Sequence, residues 1–251
     1  MTALVVDGLS FVGPSLFGKD QSVEMLLARM LASGVDVTVV APNRPLDYDL
    51  GPANSWLAEA VATSSDRLVG LARVDPNYRH AAQDAEHALS SLELRGVLLH
   101  PREEVFRIND RRVDAVVEVA RAYNRPVVIS AGWPWVAEAL QVAELAARYP
   151  DVRFIMTNGG QFNISGLGQF DAELALRSCP NLAMFTNGVY RQDFIERVIS
   201  ELGAARVLFA AMSPEFEVAY ELLRIQRADI QDEQRARVLA GNACDVYGLA
   251  T

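Results

Sequence analysis

Short apolar runs alternate with longer amphipathic segments along most of the chain. Runs of this length that end at Gly, Pro, Asn, Asp or Ser are typical of buried strands. Amphipathic segments with apolar residues at helical spacing, such as Val23, Leu26, Leu27 and Met30, follow nearly every run. The pattern predicts eight strands, at 3–6, 35–40, 67–74, 96–99, 126–129, 153–156, 181–185 and 206–209.

The alternation of strand and helix predicts a parallel sheet with helices packed on it. Eight such units in 251 residues favour an α/β fold with a single (β/α)₈ TIM barrel. An open doubly wound sheet is the alternative, but no Gly-x-Gly-x-x-Gly motif follows the first strand. We therefore expect residues 1–251 to form one barrel domain, with its chemistry at the carboxyl ends of the strands.

Composition and charge narrow the classes of partner. The net charge is −9, with 51% hydrophobic and 22% charged residues, which disfavours binding to nucleic acid or to anionic membranes. No apolar run reaches the roughly 20 residues of a membrane span. Cys179 and Cys244 lie outside any Cys-x-x-Cys pattern and suit a reducing compartment. These features predict a cytoplasmic protein that contacts neither nucleic acid nor membrane.

The residues that end the strands are the candidates for chemistry. Asp7 ends the first predicted strand and His100 the fourth, and both side chain types serve as catalytic acids or bases. Polar and aromatic residues at neighbouring strand ends are the candidates for substrate contact. They are Ser130, Asn158, Gln161, Trp133 and Arg102.

Several segments resemble one family of barrels, the amidohydrolase-related (amidohydrolase 2) proteins, which include metal-dependent hydrolases and nonoxidative decarboxylases of small acids. The segments that carry this resemblance, in chain order, are VVDGLSFVG, RGVLLHP, RPVVISAG, YPDVRFIMTNGG, ARVLFAAMSP and VLAGNACDVYGL. The resemblance covers the chain essentially from end to end and implies the same barrel fold.

The departures from this family fall on its metal site. The resemblance implies a divalent metal, normally zinc, held by histidines and carboxylates. The chain has Leu9 and Phe11 where the opening motif places two histidines, Ser130 and Asn158 where two further strands end in histidine, and Met212 at the place of the catalytic aspartate. Since tetrahedral zinc needs at least three good ligands, the sequence predicts no zinc or other divalent metal cofactor.

Three hypotheses follow for function. The first is a non-catalytic barrel, a pseudoenzyme that assembles with an active amidohydrolase-type subunit or with copies of itself and keeps a small-molecule pocket. The second is a metal-free hydrolase or decarboxylase of a small cyclic or carboxylic compound, with His100 and either Asp7 or Glu103 as acid and base and with Asn158 and Ser130 as donors to an oxyanion. The third is a metal site relocated to Asp7, His100 and Glu103.

Overall fold

The computed structural model describes residues 4–162 and 166–249. All paired strands in it run parallel. β3 and β4 are two parts of one strand, because Leu71 between them still donates its N–H to Val40 of the neighbouring strand at 2.8 Å. The strands are β1 Val6–Val12, β2 Val37–Pro42, β3 Leu68–Gly70, β4 Ala72–Arg73, β5 Val97–Leu99, β6 Val127–Ile129, β7 Phe154–Met156, β8 Leu182–Phe185 and β9 Val207–Leu208.

The sheet closes on itself between its first and last strands. The N–H of Gly8 donates to the carbonyl of Phe209 at 2.9 Å, and the N–H of Met212 donates to the carbonyl of Leu9 at 2.7 Å. These bonds join β1 to β9 and its continuation. The predicted eight-stranded (β/α)₈ barrel is therefore confirmed.

Helices surround the barrel and follow the strands in turn. None of the described helices is long and apolar enough to cross a membrane. The helices are α1 Val23–Ser33, α2 Leu50–Ala62, α3 Ala81–Ser90, α4 Pro101–Glu104, α5 Asp114–Ala122, α6 Ala139–Arg148, α7 Gly166–Ser178, α8 Gln192–Leu202, α9 Val218–Arg227, α10 Asp232–Ala236 and α11 Asn242–Tyr247, with a π-helical turn at Arg237–Gly241.

The core has two parts, one between sheet and helices and one inside the barrel. Leu98, Val128 and Ile155 from adjacent strands point inward and are fully buried. Tyr247 of α11 packs into the same interior cluster and donates its hydroxyl to the carbonyl of Gly8 at 3.1 Å. The barrel is thus filled with side chains rather than hollow, as expected of eight strands.

Several boundaries differ from the predictions by a few residues, and two of these differences have a clear physical cause. The first strand runs from Val6 to Val12 and does not end at Asp7, because Asp7 and Ser10 satisfy each other inside it across a bulge. The residues from Trp135 to Arg148 predict a helix over that whole segment, but α6 begins at Ala139. Glu138 and Gln141 form a capping box there, and such a box marks a helix start more firmly than apolar spacing does.

Candidate functional site

Two spaces lie at the carboxyl ends of the strands, which we call the mouth. A cleft of about 260 Å³ lies between the loops that follow β2 and β4, and the cavity beside His100 measures only about 30 Å³. That is room for about one or two water molecules, whereas ligand pockets commonly measure about 300–1,000 Å³. The residues that line it are Phe11, Ser15, Lys19, Asn43, Arg73, His100, Glu103, Met212, Pro214 and Glu215.

Apolar side chains occupy much of the mouth. Leu9 is fully buried, and Phe11 meets the imidazole of His100 edge-on, with 6.4 Å between ring centroids. The thioether of Met212 lies 3.1 Å from the side-chain amide nitrogen of Asn187. These three residues, whose positions the family resemblance assigned to ligands or a catalytic acid, fill space that a small molecule would otherwise take.

Asp7 joins the two ends of the barrel sheet. One carboxylate oxygen accepts the N–H groups of Leu9 at 3.2 Å and Ala211 at 2.8 Å, and the other accepts the hydroxyl of Ser10 at 2.7 Å. Burial raises the pKa of Asp7 to about 7, against the effect of these hydrogen bonds. Asp7 does not line the cavity and makes no hydrogen bond with His100 among the described residues. Its observed contacts are those of a residue that stabilises the closure of the barrel.

His100 lies directly in the cavity wall at the end of β5. Its ring Nδ1 accepts the N–H of Glu103 at 3.3 Å and thereby caps α4, where Pro101 takes the first helical position. Burial, followed by the positive charge of Arg73, holds the pKa of His100 well below its usual range. With Nδ1 accepting, the proton of the neutral ring is assigned to Nε2. His100 is therefore a hydrogen-bond donor toward the cavity at neutral pH.

A cluster of buried ion pairs lies beside His100, and the sequence did not predict that its members come together. Arg73 is 1% exposed and contacts Glu104 at 2.7 Å and also Glu103. Arg44 contacts the same oxygen of Glu104 at 2.8 Å and Asp75 at 3.5 Å. The signal was present in the sequence, because an arginine inside an otherwise apolar strand needs a buried carboxylate partner. The sequence did not indicate which carboxylate this partner would be.

A surface ion pair spans the outer edge of the mouth. Lys19, in the loop after β1, contacts Glu215, in the loop after β9. Both residues line the cavity. The pair connects the first and last strand–helix loops above His100, although exposed pairs of this kind contribute only about 0–1 kcal/mol to stability.

The predicted substrate contacts Ser130 and Asn158 are already engaged with protein atoms. The Ser130 hydroxyl accepts the indole N–H of Trp133 at 3.3 Å. The Asn158 amide donates to the carbonyl of Ala131 at 3.1 Å and accepts from Asn187 at 2.8 Å. Their donors and acceptors hold neighbouring strand ends together.

The other predicted contacts form a separate group. The indole of Trp133 packs against the ring of Phe162 at a tilt of 41°, with 4.0 Å between ring centroids. The guanidinium of Arg102 lies 3.9 Å from the indole centroid. Gln161 is buried and its side-chain nitrogen has no hydrogen-bond partner among the described residues. None of the five predicted substrate contacts lines the cavity beside His100. Their assignment to a substrate stays a prediction.

The mouth residues do not fit a divalent metal at the family's position. Leu9 and Phe11 have no lone pair to donate, and a thioether such as that of Met212 is a poor ligand for zinc, manganese or magnesium. Across residues 4–162 and 166–249, no group of three or more His, Cys, Asp or Glu side chains has the arrangement needed to hold an ion. The relocated site proposed at Asp7, His100 and Glu103 does not form in this conformation.

Solved structures with the same fold include several decarboxylases. The 5-carboxyvanillate decarboxylase of Sphingomonas paucimobilis superposes with a TM-score of 0.81 at 17% identity, covering 99% of this chain and 100% of that one. The 2,6-dihydroxybenzoate decarboxylase of Rhizobium gives 0.78 at 16% identity, with 99% of both chains covered. No curated protein matches the chain by sequence.

The comparison corrects the prediction about the cofactor. The dihydroxybenzoic acid decarboxylase of Polaromonas sp., with a TM-score of 0.77, 17% identity and 99% and 98% of the two chains covered, holds manganese and the inhibitor 2-nitroresorcinol. Two further structures of 5-carboxyvanillate decarboxylase also hold manganese. The prediction that a zinc or other divalent metal is absent is therefore wrong by this comparison, which points to a metal cofactor. The mouth residues of this chain, which are poor ligands for a divalent metal, disagree with that comparison.

The family assignment rests on the sequence of nearly the whole chain. The model of one protein family, described as Amidohydrolase, matches residues 13–249. This match agrees with the parallel eight-stranded barrel. The chain belongs to the amidohydrolase family.

Proposed function

We propose that this amidohydrolase-family barrel does not turn over a substrate at its own mouth and works as a non-catalytic subunit. The observation that carries the proposal is the filled space beside His100, where the cavity of about 30 Å³ is far smaller than a typical ligand pocket. Leu9, Phe11 and Met212 supply the filling.

Opening the mouth would disturb more than a surface loop. Separating Lys19 from Glu215 costs little, but a substrate would also have to displace Phe11 and Met212, which are buried with the barrel core. Displacing packed side chains forfeits their dispersion contacts. The closed state is therefore expected to be the dominant one in solution.

A second candidate function is a hydrolase or nonoxidative decarboxylase of a small carboxylic compound. The comparisons support this candidate more than the first, because solved structures of the same fold are decarboxylases of aromatic acids. The cavity wall supports it as well, since the cationic groups of Lys19 and Arg73 and the Nε2–H of His100 lie around one small space. Such donors suit a carboxylate, and Glu103, 3.7 Å from His100 Nε2, could exchange a proton there.

One assay separates the two candidates. The purified full chain, supplied with manganese or with zinc, is incubated with 5-carboxyvanillate or 2,6-dihydroxybenzoate, and the release of carbon dioxide is measured. The first candidate predicts no release above that of the metal in buffer. Metal-dependent release that is lost in His100→Gln and kept in His87→Gln, a surface control on α3, would establish the second candidate and refute the first.

Assembly with another subunit remains a prediction. An exposed apolar row on α7 supports association of some kind, because Leu167, Phe170 and Leu174 lie on one helical face and all are exposed, and exposed apolar patches commonly mark interaction surfaces. Native mass spectrometry of the protein isolated from its own host measures the subunits directly. A complex with a second amidohydrolase-type chain is the predicted result, and a monomer would contradict the prediction.

A further inference from the structure

A cleft of about 610 Å³ lies at the end of the barrel opposite the mouth. Its walls come from the segments that lead into β6, β7 and β8 and from the turn and helix at the carboxyl end of the described chain. We call it the basic cleft, after the arginines that line it, which are Arg121, Arg125, Arg153 and Arg237.

The arginines recur at one place in the strand–helix unit. Arg95, Arg125 and Arg153 come one or two residues before β5, β6 and β7, which are adjacent in the sheet. Val97 pairs with Val127, so Arg95 and Arg125 occupy equivalent positions on neighbouring strands. Neighbouring strands are about 4.8 Å apart. The repeat therefore concentrates guanidinium groups along one edge of the barrel.

Two of the lining arginines are neutralised and two are not. Arg121 contacts Asp151 at 2.6 Å, and Arg237 contacts Asp245 at 2.7 Å. Among the described residues, Arg125 and Arg153 have no ion pair with a carboxylate. Within the described residues the cleft therefore carries four guanidinium groups against the two carboxylates of Asp151 and Asp245, which leaves an excess of positive charge.

The positive charges are close enough to affect one another. Burial lowers the pKa of Arg125, and the neighbouring Arg95 lowers it further. Burial likewise lowers the pKa of Arg206, which precedes β9, and Arg153 adds to the effect. An anion between these groups would relieve the repulsion and gain charge-assisted hydrogen bonds.

The wall between the arginines is rigid. The side-chain amide of Asn181 donates to three carbonyls, those of Ala146, Tyr149 and Val152, at 2.9–3.0 Å. Asn181 itself lines the cleft. The backbone that carries Arg153 is thus fixed to the preceding helix, which lowers the entropy that a ligand would have to offset.

We propose that the basic cleft binds a small polyanion, an organic phosphate or a polycarboxylate of about nucleotide size, between Arg125 and Arg153. The guanidinium fork matches both phosphate and carboxylate oxygens in a bidentate manner. The volume of about 610 Å³ lies within the range of small-molecule sites. The proposal does not depend on activity at the mouth, because the two sites lie at opposite ends of the strands.

Isothermal titration calorimetry of the full chain tests the proposal with three probes, inorganic pyrophosphate, adenosine diphosphate and citrate. Saturable binding of at least one probe is expected, weakening as salt is raised. A preference for the phosphate probes or for citrate identifies the chemical class of the natural ligand. Absence of saturable binding for all three at millimolar concentration would overturn the proposal.

Matched variants locate the bound anion. Arg125→Gln/Arg153→Gln is expected to weaken binding at least 10-fold, whereas Arg111→Gln/Arg191→Gln, which removes two exposed arginines outside the cleft, is expected to leave it unchanged. Arg125→Lys/Arg153→Lys keeps the positive charge but loses the bidentate guanidinium fork, so intermediate affinity is expected. This variant keeps the test decisive even if the glutamine variant folds poorly. Equal affinity in the lysine variant, the glutamine variant and the parent would refute the assignment.

Discussion

The two ends of this barrel use arginine in opposite ways. At the mouth, Arg44 and Arg73 are buried and each contacts Glu104. At the other end, Arg125 and Arg153 line an open cleft without a described carboxylate partner. Carboxylates already neutralise the buried cations at the mouth, which weakens the attraction of these cations for an anionic ligand. An unmatched cation beside open space leaves a site available.

The free volume follows the same division. The cavity beside His100 measures about 30 Å³ and the basic cleft about 610 Å³. Chemistry in TIM barrels is normally found at the carboxyl ends of the strands. In this chain the basic cleft lies at the amino ends, which are usually occupied by residues that serve stability, while a second cleft of about 260 Å³ lies between the loops that follow β2 and β4 at the carboxyl ends.

The largest expected effect is the loss of stability in Arg73→Ala. Removing the guanidinium leaves Glu104 buried beside only one cation, and breaking a buried ion pair in this way costs about 3–5 kcal/mol. Urea unfolding followed by circular dichroism measures the change. Arg111→Ala, a control in an exposed ion pair, is expected to change the free energy of unfolding by less than about 0.5 kcal/mol. Equal values for both variants would show that the mouth cluster is not a structural unit.

A similar loss is expected from Leu9→Ala, which empties part of the mouth. Deleting a fully buried leucine costs about 2–5 kcal/mol, depending on how far the surroundings collapse. Leu31→Ala, on the exposed face of α1, is the matched control and should have little effect. If Leu9→Ala were as stable as the parent, the mouth would not be packed as described.

Asp7 sets a pH dependence of stability. Its pKa of about 7 in the folded protein exceeds the roughly 3.9 of an unfolded chain, so the folded state holds the extra proton between these values. The Asp7 contribution to the free energy of unfolding therefore falls by about 1.4 kcal/mol per pH unit as pH rises from about 4 to 7. Above pH 7 this contribution no longer changes with pH. Chemical denaturation of Asp7→Asn at several pH values should show this slope removed, whereas Asp232→Asn on the surface should retain it.

His100 produces a smaller effect of opposite sign. Because its pKa is lowered on folding, the unfolded chain takes up a proton below about pH 6.5 that the folded protein does not. The His100 contribution to stability is therefore present above pH 6.5 and is lost as pH falls below it. His100→Gln should flatten this part of the profile in the same denaturation experiment, and an unchanged profile would mean that His100 is exposed to solvent.

Much of the fold could be predicted from the sequence because its signals are local. Apolar runs, turn residues and helical spacing located the eight strands, and the position of His100 before Pro101 placed it at the mouth. The boundaries at β1 and α6 were missed where a side chain, Asp7 or Glu138, satisfied the backbone in a way that periodicity does not reveal.

The candidate site was less predictable because its contacts are distant in sequence. Arg73 meets Glu104, and Trp133 meets Arg102, only after strands and helices have packed. A single sequence does not tell whether Ser130 and Asn158 face a ligand or, as observed, bond to neighbouring protein atoms. The basic cleft was missed because arginines before strands are individually ordinary and gain meaning only from the register of adjacent strands.

The most direct test of the filled mouth is the NMR spectrum of the His100 imidazole during titration with 2,6-dihydroxybenzoate in the presence of zinc. The chain has three histidines. His80 and His87 lie outside the lining of the cavity beside His100, so their imidazole signals serve as internal controls. The account predicts that the His100 signals do not move. A saturable shift of His100 alone would show that the mouth opens to an aromatic acid and would contradict the account.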